Sequence, residues 1–210
     1  MVITAPILFG RLHVLPVAVE FLEAYSDVDV RLVLGDRLLN LRDDHVDLAI
    51  RIGTLPDSTL VATRIGSTRQ IVCGSPAYFA EHGSPRRPDD LATHDCITFD
   101  ALLSPDTWKF RMGKSEVAIP IHSRLIVNTA DAAIAAAIAG AGVTRALSYQ
   151  MADAQRDGTL DVVLQEFEPA CWPVSLLYVG QKRLPLKLRA FIDFAAPLLK
   201  ARLSDHIAAA

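Results

Sequence analysis

The first part of the chain, from Val2 to Gly53, constrains the architecture most tightly. Val2–Ala5 is a short apolar run closed by Pro6 and reads as a buried strand. Leu12, Leu15, Val19, Phe21, Leu22 and Tyr25 then recur at helical spacing. Pro16 is tolerated only in a first turn, where backbone N–H groups lack partners anyway, so the spacing predicts a helix from near His13 to near Ser26. Val28–Leu34 is β-branched and apolar and stops at Gly35-Asp36. Leu38–Asp44 suits a short helix, and Val46–Ile52 is strand-like up to Gly53. Strand, helix, strand, helix, strand at this spacing implies a parallel sheet with helices packed on it, an α/β fold.

The pattern continues less regularly. Leu60–Ile65 and Gln70–Gly74 are strand candidates. Ser75-Pro76 supplies an N-cap and a proline at the first helical position, and Gly83 a stop. Gly83–Pro88 is a loop. Cys96–Phe99, Trp108–Arg111 and Glu116–Ser123 read as strands. Asn128 suits the N-cap of the Ala-rich helix Ala130–Ala139, which Gly140 and Gly142 end. Val143–Leu147 is a strand, Tyr149–Arg156 a helix and Val174–Val179 a strand. Leu184, Leu188, Phe191, Ile192, Ala195, Leu198 and Leu199 share one face of a closing amphipathic helix.

Several function classes find no support. The chain has no GxSxG elbow, GxxxxGK[ST] loop, HExxH or GxGxxG, so no enzyme chemistry is expected and no cofactor. The net charge of −3 and the scattered Lys and Arg argue against this chain gripping nucleic acid by itself. His94 and Cys96 lie two apart, but a structural metal site needs about four placed ligands, so a loop His beside a buried Cys is the plainer reading. Asp43-Asp44 and Asp89-Asp90 sit in helix-start or loop settings, where acids favour the helix dipole. Cys73, Cys96 and Cys171 have no CxxC spacing and suit buried thiols in a reducing cytoplasm, the expected location. No apolar run approaches the ~20 residues that span a bilayer. A strand directly after Met1 suggests a domain cut from a longer protein.

Three stretches, in order, carry a resemblance. They are Thr4-Ala5-Pro6 through Phe9-Gly10-Arg11-Leu12-His13-Val14-Leu15-Pro16; Val46-Asp47-Leu48-Ala49-Ile50-Arg51-Ile52-Gly53 followed by Leu60–Gly66; and Val72-Cys73-Gly74-Ser75-Pro76-Ala77-Tyr78 with Pro88–Cys96. Together they resemble the effector-binding domain of LysR-type bacterial transcription regulators. The resemblance implies two Rossmann-like lobes joined by two crossover strands, like a type 2 periplasmic binding protein, with a small effector received between them. Lobe one is then 1–72 plus 174–210 and lobe two 73–173. It also implies a homodimer or higher homo-oligomer, through the first helix and second strand (Val14–Leu34), and DNA binding only through an N-terminal winged helix-turn-helix that this sequence does not include. Ala146-Leu147-Ser148 departs from the family by lacking a proline after the glycine turn. The alternative to a sensor is a free-standing solute-binding protein of a transporter.

Parallel sheets receive ligands at the carboxyl ends of their strands. In lobe one this singles out Thr4, Pro6, Phe9, Gly10, Arg51 and Gly53. The helix start near Phe9-Gly10 offers free N–H groups that suit an anion. In lobe two the matching positions are Thr98, Phe99, Asn128, Thr129, Val143, Thr144 and Arg145. Arg51 stays open between pairing with Asp36 or Asp57, exposure at the strand end, and an anionic ligand; Arg145 is open in the same way. Asn128 is both a cap and a ligand candidate. Phe9 is either core or ligand wall, and Thr4 either a ligand contact or a partner of neighbouring backbone. The expected effector is small, anionic or carbonyl-bearing, and partly flat or greasy.

Overall fold

The computed structural model describes residues 1–36, 41, 43–55, 59–99, 106–180 and 183–208, the side chains as far as 204. The chain divides into two compact units. One holds Met1–Thr68 together with the chain from Trp172 through the last helix; the other is Arg69–Cys171. The divisions fall a few residues before the expected 72/73 and 173/174. The reason is pairing: the strand Gln70–Gly74 bonds entirely within the second sheet, while Trp172 and Pro173 register with Thr68 and Ser67 in the first.

The first unit is built on a five-stranded sheet, order β2-β1-β3-β12-β4. Its strands are β1 (Val2–Ala5), β2 (Arg31–Leu34), β3 (Leu48–Ile52), β4 (Leu60–Thr68) and β12 (Trp172–Val179). β1 pairs parallel with β2 and β3, as the opening pattern predicts, and β12 runs antiparallel between β3 and β4. β2 is shorter than the run Val28–Leu34, and Val28 and Val30 lie outside it. The helix expected at Leu38–Asp44 falls largely outside the described residues.

The first helix begins earlier than its periodicity suggests. α1 (Ile7–Phe9) passes into a π-helical stretch (Gly10–Val14) and then α2 (Leu15–Ala24). Pro16 therefore sits inside a longer helical run rather than at its opening. A proline ring crowds the carbonyl four residues back, and the wider i→i+5 turn before it, closed by Leu15 N–H donating to Gly10 O, makes room. α6 (Leu186–Ala208) packs on α2 through aromatic edges: Phe21, without exposed surface, meets Phe191 at 5.0 Å and Phe194 at 5.6 Å between ring centroids. Gly66 lets β4 approach α6, since a Cβ there would lie 2.7 Å from Leu203 Cδ1.

The second unit has its own five-stranded sheet, order β11-β5-β10-β6-β9, and a two-stranded hairpin β7-β8. These strands are β5 (Gln70–Gly74), β6 (Cys96–Phe99), β7 (Thr107–Met112), β8 (Ser115–Pro120), β9 (Ser123–Val127), β10 (Val143–Leu147) and β11 (Asp161–Val163). The single strand expected over Glu116–Ser123 is two: β8 turns back on β7, and β9 joins the main sheet beside β6. Trp108, Phe110 and Ile119 of the hairpin close over Val72, Cys96 and Val143 of the sheet in one apolar core.

The helices of this unit are α3 (Pro76–His82), α4 (Ala130–Ile138) and α5 (Ser148–Arg156). Ser75 Oγ accepts the Tyr78 N–H and caps α3, as its Ser-Pro start predicts. α4 is capped by Thr129, whose Oγ1 accepts from Ala132 N, and not by Asn128, which is exposed. Asp90 accepts the N–H groups of Arg86 and Arg87 at the Pro88–Thr93 turn, and these bonds hold its carboxyl below the usual range.

Candidate effector-binding residues and the family

In the first unit the parallel strands β1, β2 and β3 end at Ala5, Leu34 and Ile52. The backbone N–H of Ile7, which opens the helical run, donates to Asp36 Oδ1 at 3.0 Å. The amide expected to await an anion thus already meets a carboxylate of this chain, carried just beyond β2. The same carboxylate acts on Arg51. Burial pushes the Arg51 guanidinium below its ordinary pKa, and the charge of Asp36 pulls it back up. Arg51 is buried, and its Nη2 has no hydrogen-bond partner among the described residues. Of the partners open to it in sequence, Asp36 acts on it through its charge, and Asp57 lies outside the described residues.

Asp36 thus serves a helix start and a buried cation together. Asp36→Ala should cost about 1–3 kcal/mol, because it strands both groups at once. Asp36→Asn keeps the acceptor but not the charge and should cost less. Urea unfolding of the two variants checks the order; equal and negligible costs would show that Asp36 holds neither group.

The other first-unit candidates separate clearly. Thr4 is buried, with Oγ1 unpaired among the described residues. Pro6 caps the helical run without a side-chain bond. Phe9, a possible ligand wall, has no exposed surface and packs on the His13 ring at 4.8 Å, so it belongs to the core. Gly10 is a packing position: a Cβ there would come 2.2 Å from Leu34 Cδ2 and 3.3 Å from Ala5 Cβ. Gly53 takes a left-handed φ of 107° and donates to Pro173 O.

In the second unit β6, β9 and β10 run parallel. Thr98 Oγ1 donates to Ser123 Oγ and Thr144 Oγ1 to Ile97 O, so both hydroxyls are spent on the sheet. Val143 is core. Asn128 and Thr129 stand where β9 meets α4, one exposed and one capping.

Arg145 is different. It sits in a strand whose five residues are all buried, with 8% of its own surface exposed. Its guanidinium carbon lies 5.6 Å from the centre of the Trp108 ring. Nε and Nη1 have no hydrogen-bond partner among the described residues. Burial pushes its pKa down to about 10, which still leaves it cationic at neutral pH. Gln70, Phe99, Ala146 and Leu147 border it closely, and the space between them is too small for a water molecule.

Sequence reasoning missed three contributors: Asp36 as the partner of the helix start, Trp108 beneath Arg145, and Gln70. Only Asp36 carried a local signal, its place directly after a strand end. Elsewhere, His94 Nδ1 lies 3.2 Å from the Tyr78 hydroxyl, and burial raises the Cys73 and Cys96 thiols to about 12. Among the described residues no cluster of three His, Cys, Asp or Glu is placed to hold a metal. Among them, too, no helix is long and apolar enough to cross a membrane.

Two parallel-cored α/β units linked twice by the chain, with a buried arginine in each sheet, lead to comparison with known proteins. The family model for the LysR substrate binding domain matches residues 1–200. The chain belongs to that family. A curated relative, the probable HTH-type transcriptional regulator LtrA of Klebsiella pneumoniae, is 31% identical over 205 residues, covering 96% of this chain and 66% of the relative. The HTH-type regulator CrgA of Neisseria meningitidis is 30% identical over 185 residues, or 87% of this chain and 62% of that protein. This chain therefore spans somewhat less than two thirds of their length.

Among solved structures, the regulatory domain of CrgA matches with a TM-score of 0.83 at 26% identity, over 95% of this chain and 98% of that one. The regulatory domain of AphB from Vibrio vulnificus matches with a TM-score of 0.79 at 25% identity, over 94% and 98%. The LysR domain fold is the type 2 periplasmic-binding-protein-like α/β fold, and the chain is an effector-binding domain of that kind.

Proposed function

We propose that this LysR domain senses a small molecule without transforming it, and that occupancy changes transcription through a DNA-binding part of the whole regulator. The family membership supports the sensing role. The observation that carries the binding chemistry is the pair of buried arginines, Arg51 and Arg145, one in each sheet, with guanidinium nitrogens that have no hydrogen-bond partner among the described residues. A buried cation with spare donors is costly to keep unless something pairs with it. The groups that would meet the ligand are Thr4, Pro6, Arg51 and Gly53 in the first unit. In the second they are Phe99, Asn128, Thr129 and Arg145. No reacting pair of nucleophile and base stands among these side chains, so binding energy goes into shifting a conformational equilibrium. A promoter reporter in cells carrying the whole regulator tests this reading. Output should change with the ligand in wild type and respond less in Arg145→Gln. Output that ignores every ligand the domain binds would sink it.

The reading includes self-association. Leu15, Val19 and Leu22 are exposed at one-turn spacing on α2, and β2, an edge strand among the described residues, exposes Leu34. Leu22→Glu places a charge in that face, where a desolvated lone charge is strongly unfavourable. Sedimentation should show a dimer for wild type and a shift toward monomer for the variant. A wild-type monomer at every concentration would contradict self-association of this domain.

A further inference from the structure

We propose that Tyr78, His82 and His94 form an acid-sensitive latch in the second unit, closed on the start of β6 while His94 is neutral and released when His94 takes up a proton. The proton is then an input of its own, separate from any effector.

Hydrogen counting fixes the closed state. His94 is buried between the Pro88–Thr93 turn and β6, and Tyr78 of α3 is buried beside it. The Tyr78 hydroxyl oxygen accepts the Asp95 backbone N–H at 3.1 Å and lies 3.2 Å from His94 Nδ1. Burial raises the pKa of the phenol, so it keeps its hydrogen. A phenol has one hydrogen to give, and Asp95 N–H has no lone pair to take it, so the O–H donates to His94 Nδ1. His94 is therefore the neutral tautomer with its hydrogen on Nε2. The His82 ring stacks on the Tyr78 ring, 4.3 Å between centroids and 12° between planes, and its Nδ1 donates to the Tyr78 carbonyl at 3.2 Å.

Protonation reverses the central bond. A second hydrogen on the His94 ring occupies Nδ1, which then faces the phenol as a donor. The hydroxyl oxygen would receive two N–H groups, and its own hydrogen would have no acceptor among the described residues. The charges facing His94 are divided. His82 of α3 opposes a second positive charge; Asp90 of the turn and Asp95 after it favour one. Asp90 is already bonded to the Arg86 and Arg87 N–H groups, and Asp95 pairs with Arg124 of β9. On β6 burial keeps the Cys96 thiol protonated. The exposed His122 meets β6 through its carbonyl, and on β8, which packs on the turn, Glu116 pairs with Lys109. Burial prevails and holds His94 below its ordinary pKa.

Release acts where strand pairing begins. The Asp95 carbonyl accepts the Val143 N–H at 2.8 Å, and Cys96 opens the pairing with β10 and with β9. The unfolded chain holds the His94 proton more tightly than the folded one. The latch's stability is therefore present above about pH 6.5 and is lost as pH falls from there through the lowered folded-state value.

NMR of the 210-residue chain from about pH 8 to about pH 5 tests the latch. At neutral pH His94 should show a bare Nδ1 and a protonated Nε2. Its ring should titrate below about 6.5, and the protection factor of the Asp95 amide in hydrogen exchange should fall in step. His94→Gln offers the phenol a carbonyl acceptor at every pH. Its urea midpoint should therefore fall less than that of wild type between about pH 7.5 and about pH 5.5. Tyr78→Phe removes the donor to Nδ1 and should raise the pH at which His94 titrates. If either variant fails to fold, tautomer, titration and exchange in wild type decide. A hydrogen on Nδ1 at neutral pH, a midpoint at or above about 6.5, or Asp95 protection that ignores pH overturns the proposal. So does an undiminished acid loss in His94→Gln, or a His94 titration unmoved in Tyr78→Phe.

Discussion

Gly142→Ala should destabilise the chain by about 3–5 kcal/mol, a large share of the roughly 5–15 kcal/mol that holds a domain together. Gly142 has φ 148°, a conformation that side-chain-bearing residues rarely adopt. A Cβ there would also lie 2.2 Å from the carbonyl oxygen of Asp95 and 2.9 Å from its carbon. Backbone cannot swing aside as a side chain can. That same carbonyl accepts the Val143 N–H at 2.8 Å, the bond that starts the β6–β10 pairing. Relief of the clash must therefore pull apart the strand that carries Arg145. Urea unfolding followed by circular dichroism measures the loss, and ligand binding should fall with it. A cost below about 1 kcal/mol would mean that the turn relaxes freely and that the register is set elsewhere.

Trp108→Ala should cost a comparable amount, about 3–5 kcal/mol, for removal of a large buried ring that leaves a cavity. Trp108 is 1% exposed and anchors the β7-β8 hairpin on the sheet with Phe110 and Ile119. Its loss also takes away the surface on which the Arg145 guanidinium rests. Trp108→Phe keeps a π-face and most of the apolar area, so its cost should be about half as large. Chemical unfolding of both variants tests the ordering. Equal costs would show that neither the apolar volume nor the π-face that Phe retains is enough, and that the indole itself is required.

The strands that were legible in the sequence share a physical property. Gln70–Gly74, Cys96–Phe99 and Val143–Leu147 are buried on both faces, so each is a mainly apolar run cut off by turn residues. β9 failed this test. Arg124, Leu125 and Ile126 are exposed, and the strand follows the hairpin so closely that the two merged into one alternating run. β11, three residues at a sheet edge, carries too little pattern to read. The helix opens earlier than its periodicity indicates because a π-turn accommodates Pro16 in mid-run, where a proline ordinarily marks a first turn.

The candidate site was legible only in part. Strand ends pointed to Arg51 and Arg145, but they pointed equally to Phe9, Gly10, Val143 and Thr144, whose roles are packing and sheet bonding. Which polar atoms remain unbonded depends on partners far along the chain. Trp108 reaches Arg145 across a hairpin, and Asp36 reaches Ile7 across a strand and a helix. No local pattern encodes such meetings.

The claim that this domain binds a small molecule in its native state is tested most directly by thermal unfolding of the 210-residue chain against a panel of metabolites. A ligand at a hundred times its Kd adds about 2.7 kcal/mol to the native state, which for a chain of this size raises the melting temperature by roughly 5–10 °C. The account predicts such a rise for at least one small carboxylate, with the compound recovered unchanged. No rise with any compound, or recovery of a chemically altered one, would contradict it.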